Sequence, residues 1–86
     1  MSAIINKITE RVWMDWNSRA KRLIKSELAK REIDYIKLAE LMNAIGVDEK
    51  QVNIANKINR GAFSLSFALQ IFKAIGVEQI DLKDIV

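Results

Sequence analysis

The sequence predicts an all-α domain of four to five helices. Its 86 residues include no proline and only three glycines, a composition typical of a mostly helical chain. The apolar residues recur at intervals of three and four, which places them on one face of each helix. Half of the residues are hydrophobic, so one small core can form. We therefore expect one domain over residues 16–86, preceded by an extra N-terminal arm or short helix over residues 1–15.

The first long helix is predicted to have an apolar stripe and a basic outer side. A cap at Asp15 or Ser18 begins it, and it ends near Arg31. The apolar stripe consists of Trp16, Ala20, Leu23, Ile24 and Leu28. Six cations accompany the single acid Glu27 along this helix: Arg19, Lys21, Arg22, Lys25, Lys30 and Arg31. A solvated helix face usually carries both signs, so this bias favours a surface that faces phosphate, with a plain solvated face as the alternative.

The middle of the sequence predicts two short helices joined by a tight turn. Asp34 caps the first of them, Tyr35 to about Ile45, whose core side consists of Leu38, Ala39, Leu41, Met42 and Ile45. Gly46 ends that helix. Asp48 caps the second helix, Gln51 completes a capping box, and Gly61 ends it. Two short helices in this arrangement form a helix-turn-helix pattern.

The second of these helices, over residues 49–60, has faces of opposite character. At 100° per residue its inner side consists of Gln51, Ile54, Ala55 and Ile58. Its outer side carries amides and cations, namely Asn53, Asn56, Lys57 and Arg60. Amides can read adenine edges, cations can read guanine, and both bind phosphate. An ordinary solvated face is the competing interpretation, because most amphipathic helices have this pattern.

The last predicted helix runs from Leu65 to Ile75, between an N-cap at Ser64 and Gly76. Its apolar positions at helical spacing are Leu65, Ala68, Leu69, Phe72 and Ile75. The segment 78–86 is compatible with either a last turn or a short strand. It is acidic, so we expect it to face away from a polyanion.

Composition argues against several classes of function. The chain has no cysteine and no histidine, so it lacks thiolate chemistry and the usual acid and base of neutral pH. No glycine-rich phosphate loop and no nucleophile–base pair is recognisable. We therefore expect no enzymatic activity, no metal site and no cofactor. No apolar run is long enough to span a membrane, and no signal peptide is apparent, so a cytoplasmic location is expected.

Four segments resemble the Cro/Xre-type, phage lambda repressor-like helix-turn-helix domains. They are residues 24–28, 38–41, 58–61 and 64–77, and the last matches a Ser-Leu-x-x-x-Leu-x-Ile-x-Lys-Ala-Leu-Gly-Val pattern closely. The resemblance implies a compact bundle of four to five helices, in a bacterial or phage regulator. It also implies that Tyr35–Ile45 and Glu49–Arg60 are the two helices of the motif. A closer resemblance is to a divergent family of small bacterial domains of unknown function. It rests on Trp16, Tyr35, the Asn-Lys-Ile run at 56–58 and Ala74-Ile75-Gly76, among others. Relative to repressor domains, the connection around residues 43–50 is longer and contains Glu49.

Two functions follow from these patterns. The first is a sequence-specific transcriptional regulator, a repressor, that places helix 49–60 in the major groove of double-stranded DNA. The base-reading candidates are Asn53, Asn56, Lys57 and Arg60, and the phosphate-binding candidates are Arg19, Lys21, Arg22, Lys37 and Lys50. A single small module covers little DNA, so a homodimer is expected. Trp13, Trp16 and the arm are the candidate pairing surface, with a place in the local core as the more common alternative for two tryptophans near a helix start. The alternative is a helical protein-interaction module that kept the repressor-like fold without reading DNA.

Overall fold

The computed structural model describes residues 16–85 as four α-helices and a short 3-10 helix. The elements are α1 (Trp16–Lys30), α2 (Tyr35–Ala44), α3 (Gln51–Arg60), α4 (Leu65–Ile75) and the 3-10 helix Leu82–Ile85. No strand occurs within this range, which confirms the all-helical prediction for the part described. The predicted arm over residues 1–15, including the cap candidate Asp15, lies outside the described residues.

Local signals determine where most of the helices begin and end. The Asp34 carboxylate accepts a hydrogen bond from the Lys37 N–H at 2.8 Å, and the Ser64 hydroxyl accepts one from the Phe67 N–H at 3.0 Å. Both are the N-cap contacts that the sequence predicts. At the end of α3, Gly61 adopts a left-handed φ of 70°. A β-carbon at this position would overlap the backbone carbonyl of Asn17, so the glycine also lets α1 approach α3 closely.

The predicted start of α3 is wrong. Asp48 is not its N-cap, Gln51 forms no capping box, and the helix does not begin at residue 49. The cap residue is Lys50, which makes no side-chain capping bond. The reason lies in the preceding turn, where the Glu49 N–H donates to the Val47 carbonyl at 3.1 Å. The Glu49 carboxylate also lies 3.3 Å from the Lys57 ammonium group. Helix α3 begins two residues later than predicted.

All four helices contribute to one hydrophobic core. Its fully buried side chains come from every helix: Ile24, Leu38, Met42, Ile54, Ile58 and Ile71. Helix α3 packs against both α1 and α2, and α4 packs against α2. Burying one such side chain stabilises a fold by roughly 1.5–3 kcal/mol, so these six hold the helices in fixed positions.

Some predicted core positions are exposed instead. Trp16 lies at the outer end of the described part of α1, and Ile45 follows the last residue of α2, so neither is carried inward by a helix face. Gln51 is likewise exposed. In α4 the buried face consists of Phe67, Ala68, Ile71 and Ile75, because this face meets α2; Leu65 and Leu69 lie outside it.

Among the described helices, none has the length and hydropathy needed to cross a bilayer.

Candidate nucleic-acid interface

The inner side of α3 is buried in the core, so the opposite side of the helix faces solvent. Ile54 and Ile58 are completely buried in the core, and Gly61 fixes the end of the helix against α1. The side chains that point away from this anchor are exposed, and they include Asn53, Asn56 and Arg60. Three of the four base-reading candidates therefore share one outward face.

Sequence reasoning missed two further residues of this face. Val52 lies four residues before Asn56 and Asn59 lies three after it, so all three project to the same side of α3. Val52 is 61% exposed, and Asn59 is exposed as well. The 100° periodicity that identified Asn56 contains the same signal for both. We define the α3 outer face as Val52, Asn53, Asn56, Asn59 and Arg60.

The amides of the α3 outer face make no hydrogen bond with any other described residue. Asn43 shows the contrast, because its amide nitrogen donates to the Ala39 carbonyl of its own helix at 2.8 Å. Within residues 16–85 the side chains of Asn53 and Asn56 therefore make no hydrogen bond to the bundle, and their donors and acceptors face solvent.

Lys57, the fourth base-reading candidate, lies beside the α3 outer face rather than on it. Its ammonium group is 3.3 Å from the Glu49 carboxylate and 5.1 Å above the centroid of the Phe67 ring. The ion pair and the cation–π contact both hold the side chain toward the bundle. Glu49 therefore neutralises Lys57 at the edge of the shallow depression that both residues line together with Asn53, Asn56, Asn59 and Arg60.

The five phosphate-binding candidates do not all lie on one surface. Lys50 is exposed at the first turn of α3, and Lys37 is exposed on α2, 3.7 Å from Glu40. Lys21 lies one turn after Asn17, the residue whose backbone meets Gly61 at the end of α3. These three lysines lie on or beside the motif helices.

Arg19 and Arg22 lie on another side of α1. The Arg19 guanidinium stacks on the Trp16 ring at 4.6 Å, and its Nε is buried with no hydrogen-bond partner among the described residues. Both arginines line a depression of about 180 Å³ beside the C-terminal segment, together with Asp81. Successive residues of a helix are 100° apart, so Arg19 and Lys21 project from nearly opposite sides of α1.

Glu27 forms ion pairs with two of the cations of α1. Its carboxylate is buried, and it accepts from Arg31 at 2.8 Å and from Lys30 at 3.5 Å. The hydrogen bond from Arg31 lowers the pKa of Glu27 below its ordinary value, although burial acts in the opposite direction. Counting charges along the sequence finds Glu27 as the only acid of the helix, but it does not reveal this burial.

Residues 16–80 match a protein family described as a domain of unknown function, DUF6471. The chain belongs to this family. The matched region contains all four helices and the whole α3 outer face, so the arrangement described above lies within the DUF6471 domain. Searches of curated proteins and of solved structures gave no match. Among the described residues, no group of acidic side chains is arranged to hold a metal ion.

Proposed function

We propose that this DUF6471 protein binds double-stranded DNA, with α2 and α3 acting as a helix-turn-helix motif. The observation that carries the proposal is the α3 outer face, where three asparagine amides and one guanidinium project from a helix fixed by two fully buried isoleucines. Because α3 is already folded, binding to base edges would require ordering of these side chains but no folding of the helix. The resemblance to Cro/Xre-type domains assigns the same helix to the major groove.

The chemistry of the face suits base recognition. An asparagine can bind the adenine edge through two hydrogen bonds, an arginine can bind guanine in the same way, and the Val52 methyls suit a thymine methyl. Residues 52 and 60 are about 12 Å apart along the helix axis, given a rise of 1.5 Å per residue. At 3.4 Å per base step this corresponds to about four base pairs. One domain would thus read a short half-site.

Phosphate contacts would come from the lysines next to this face. Lys50 and Lys37 lie on the motif helices, and Lys21 lies beside the end of α3. Lys57 can exchange its partner Glu49 for a phosphate when a duplex approaches, because surface ion pairs are weak. A homodimer on a palindromic site would supply the area that one small module lacks. The role we propose is repression of transcription in the cytoplasm of a bacterium or during phage growth.

A second function, a protein-interaction module, has one observation in its favour. The Glu49–Lys57 pair neutralises a cation at the edge of the reading surface. A surface that binds only protein does not need to present that cation to phosphate, so the pair would remain intact in the complex. The two functions differ in the salt dependence that they predict.

The test is a titration of the full chain against labelled mixed-sequence duplexes at low and moderate salt. DNA binding predicts that log affinity falls with log salt by about 0.9 per phosphate contacted. Selection of bound fragments from random DNA then supplies the preferred site. On that site Asn56→Ala should weaken binding about fivefold to 150-fold, because a bidentate base contact is worth about 1–3 kcal/mol.

Asn43→Ala is the matched control, because the amide of Asn43 is occupied within α2. It should leave DNA affinity unchanged. Absence of binding at about 50 mM salt, where phosphate contacts are strong, would refute the proposed function. Equal losses for Asn56→Ala and Asn43→Ala would show that the α3 outer face does not read the bases.

A further inference from the structure

The DNA-binding proposal makes no use of an apolar groove formed by α1, α4 and the C-terminal segment. Its volume is about 490 Å³, and it is lined mainly by aliphatic and aromatic side chains, among them Leu23, Phe63, Leu65, Leu69, Phe72 and Ile80. We refer to this surface as the α1/α4 groove. None of its lining residues belongs to α3.

Helix α4 carries a second row of apolar side chains, which lines the groove and is partly exposed to solvent. The first row, which includes Phe67 and Ile71, faces the core. Leu65, Leu69 and Phe72 form the second row at spacings of four and three residues. Leu65 is 73% exposed and Leu69 is 56% exposed, whereas Phe72 is half-buried, so the described part of the bundle leaves the two leucines uncovered.

The exposed leucines form a patch comparable with the largest apolar patch on a typical monomer. Leu82 also lines the groove and is 76% exposed. Together with Leu65 and Leu69 it presents on the order of 400 Å² of apolar surface, a size that is commonly functional on a monomer. A standard interface buries about 800 Å² from each partner, so these leucines would supply about half of one.

The charges at the rim favour a second copy of the same chain as the occupant. The neighbouring depression shares Leu23 and Ile80 with the groove, and residues of both signs of charge line it, among them Arg19 and Asp81. Glu78 lines the groove itself. A two-fold contact sets a surface against itself, so a rim of one sign would repel its copy, whereas a rim of both signs can pair across the axis.

We propose that two copies of this chain associate through the α1/α4 groove in a two-fold dimer. Leu65, Leu69 and Leu82 of each copy form the apolar centre, and the charges of α1 and of the C-terminal segment form the rim. The inference deepens the proposed function, since a palindromic DNA site requires two α3 helices. The dimer itself exists without DNA and is measured without it. The surface differs from the pairing surface expected from the sequence, of which Trp13 lies outside the described residues.

Sedimentation of the full chain without DNA, from micromolar to near-millimolar concentration, measures the association. The wild-type chain should move from the mass of one chain to the mass of two. Leu69→Lys should raise the dissociation constant of the dimer at least about tenfold, because it places an unpaired charge at the apolar centre. Ile36→Lys is the matched control, since Ile36 is 58% exposed on α2 and does not line the groove. It should leave the dissociation constant unchanged.

Circular dichroism establishes that each variant is folded; if Leu69→Lys is not, Leu82→Lys replaces it in the 3-10 helix. A wild-type chain that stays monomeric throughout overturns the inference, including the case in which residues 1–15 of the same chain fill the groove. Equal weakening by Leu69→Lys and Ile36→Lys also overturns it. A dimer that binds no duplex refutes the DNA proposal alone, and a monomer that binds duplex refutes the dimer alone.

Discussion

Removing the Glu49–Lys57 ion pair is predicted to strengthen DNA binding. Glu49 lies in the turn before α3, and its carboxylate is 3.3 Å from the Lys57 ammonium. Replacing it by glutamine preserves the shape of the side chain but removes the charge that holds Lys57 toward the bundle. If the α3 outer face meets DNA, Glu49→Gln frees a cation and removes an anion at the edge of that contact.

The expected gain follows from the geometry and exposure of the pair. Two charges about 4 Å apart interact by about 1 kcal/mol in bulk water. The side chains of Lys57 and Glu49 retain 39% and 21% of their exposure, so the pair itself is worth about 0.2–1 kcal/mol. Adding the lost repulsion between Glu49 and phosphate, we expect duplex affinity to rise about threefold to tenfold at low salt. Lys57 contacts phosphate in the wild type as well as in the variant, so the slope of log affinity against log salt should change by less than the value of about 0.9 that one phosphate contact contributes.

Fluorescence anisotropy of a labelled duplex across a salt series measures both quantities. Glu32→Gln is the control, because it makes the same change of net charge in the turn between α1 and α2, outside the depression beside α3. It should give a smaller gain and no change of slope beyond error. An unchanged or weaker affinity of Glu49→Gln, or equal gains for both variants, would refute the assignment of Lys57 to the DNA contact.

Three predictions concern stability, and equilibrium denaturation by urea measures them. Ile58→Ala should cost about 2–5 kcal/mol of unfolding free energy, because the side chain is completely buried; a smaller loss would mean that α3 is not anchored as described. Gly46→Ala should cost about 1–2 kcal/mol of unfolding free energy, since φ is +89° but space for the added carbon is available. Gly61→Ala should cost clearly more, because the added carbon overlaps the backbone of Asn17. Equal costs would contradict the close contact of α1 with α3. The Arg31 hydrogen bond lowers the pKa of Glu27 below the ordinary 4.5, so its stabilisation is present above that value and is lost as pH falls through the lowered pKa. Arg31→Ala should therefore destabilise the fold by about 1–3 kcal/mol at neutral pH and by less in acid, and a loss independent of pH would contradict this coupling.

Local chemistry made much of the fold predictable from the sequence. The caps at Asp34 and Ser64 and the helix ends at Gly61 and Gly76 depend on a residue and its nearest neighbours, and all four occur as predicted. The start of α3 was not predictable in this way. Asp48 has the chemistry of a cap, but the Glu49 carboxylate is bound by Lys57, which lies eight residues further along.

In the candidate site, too, some positions were predictable from the sequence and others depend on tertiary contacts. Helical periodicity alone places Asn53, Asn56 and Arg60 outside, and the structure agrees. The position of Lys57 depends on Phe67, which α4 brings next to α3, so it is a tertiary effect without a local signal. The exposure of Leu69 has a similar origin, since contact with α2 selects which apolar row of α4 becomes the core.

The measurement that tests the central claim most directly is an NMR titration of ¹⁵N-labelled full-length protein with duplex DNA. The account predicts that the largest changes in backbone and side-chain amide shifts occur at the α3 outer face, especially at the side-chain amides of Asn53, Asn56 and Asn59. Smaller changes are expected at Lys50 and Lys21. If the duplex leaves these amide signals unmoved, or shifts residues of the α1/α4 groove instead, α3 is not a DNA-reading helix.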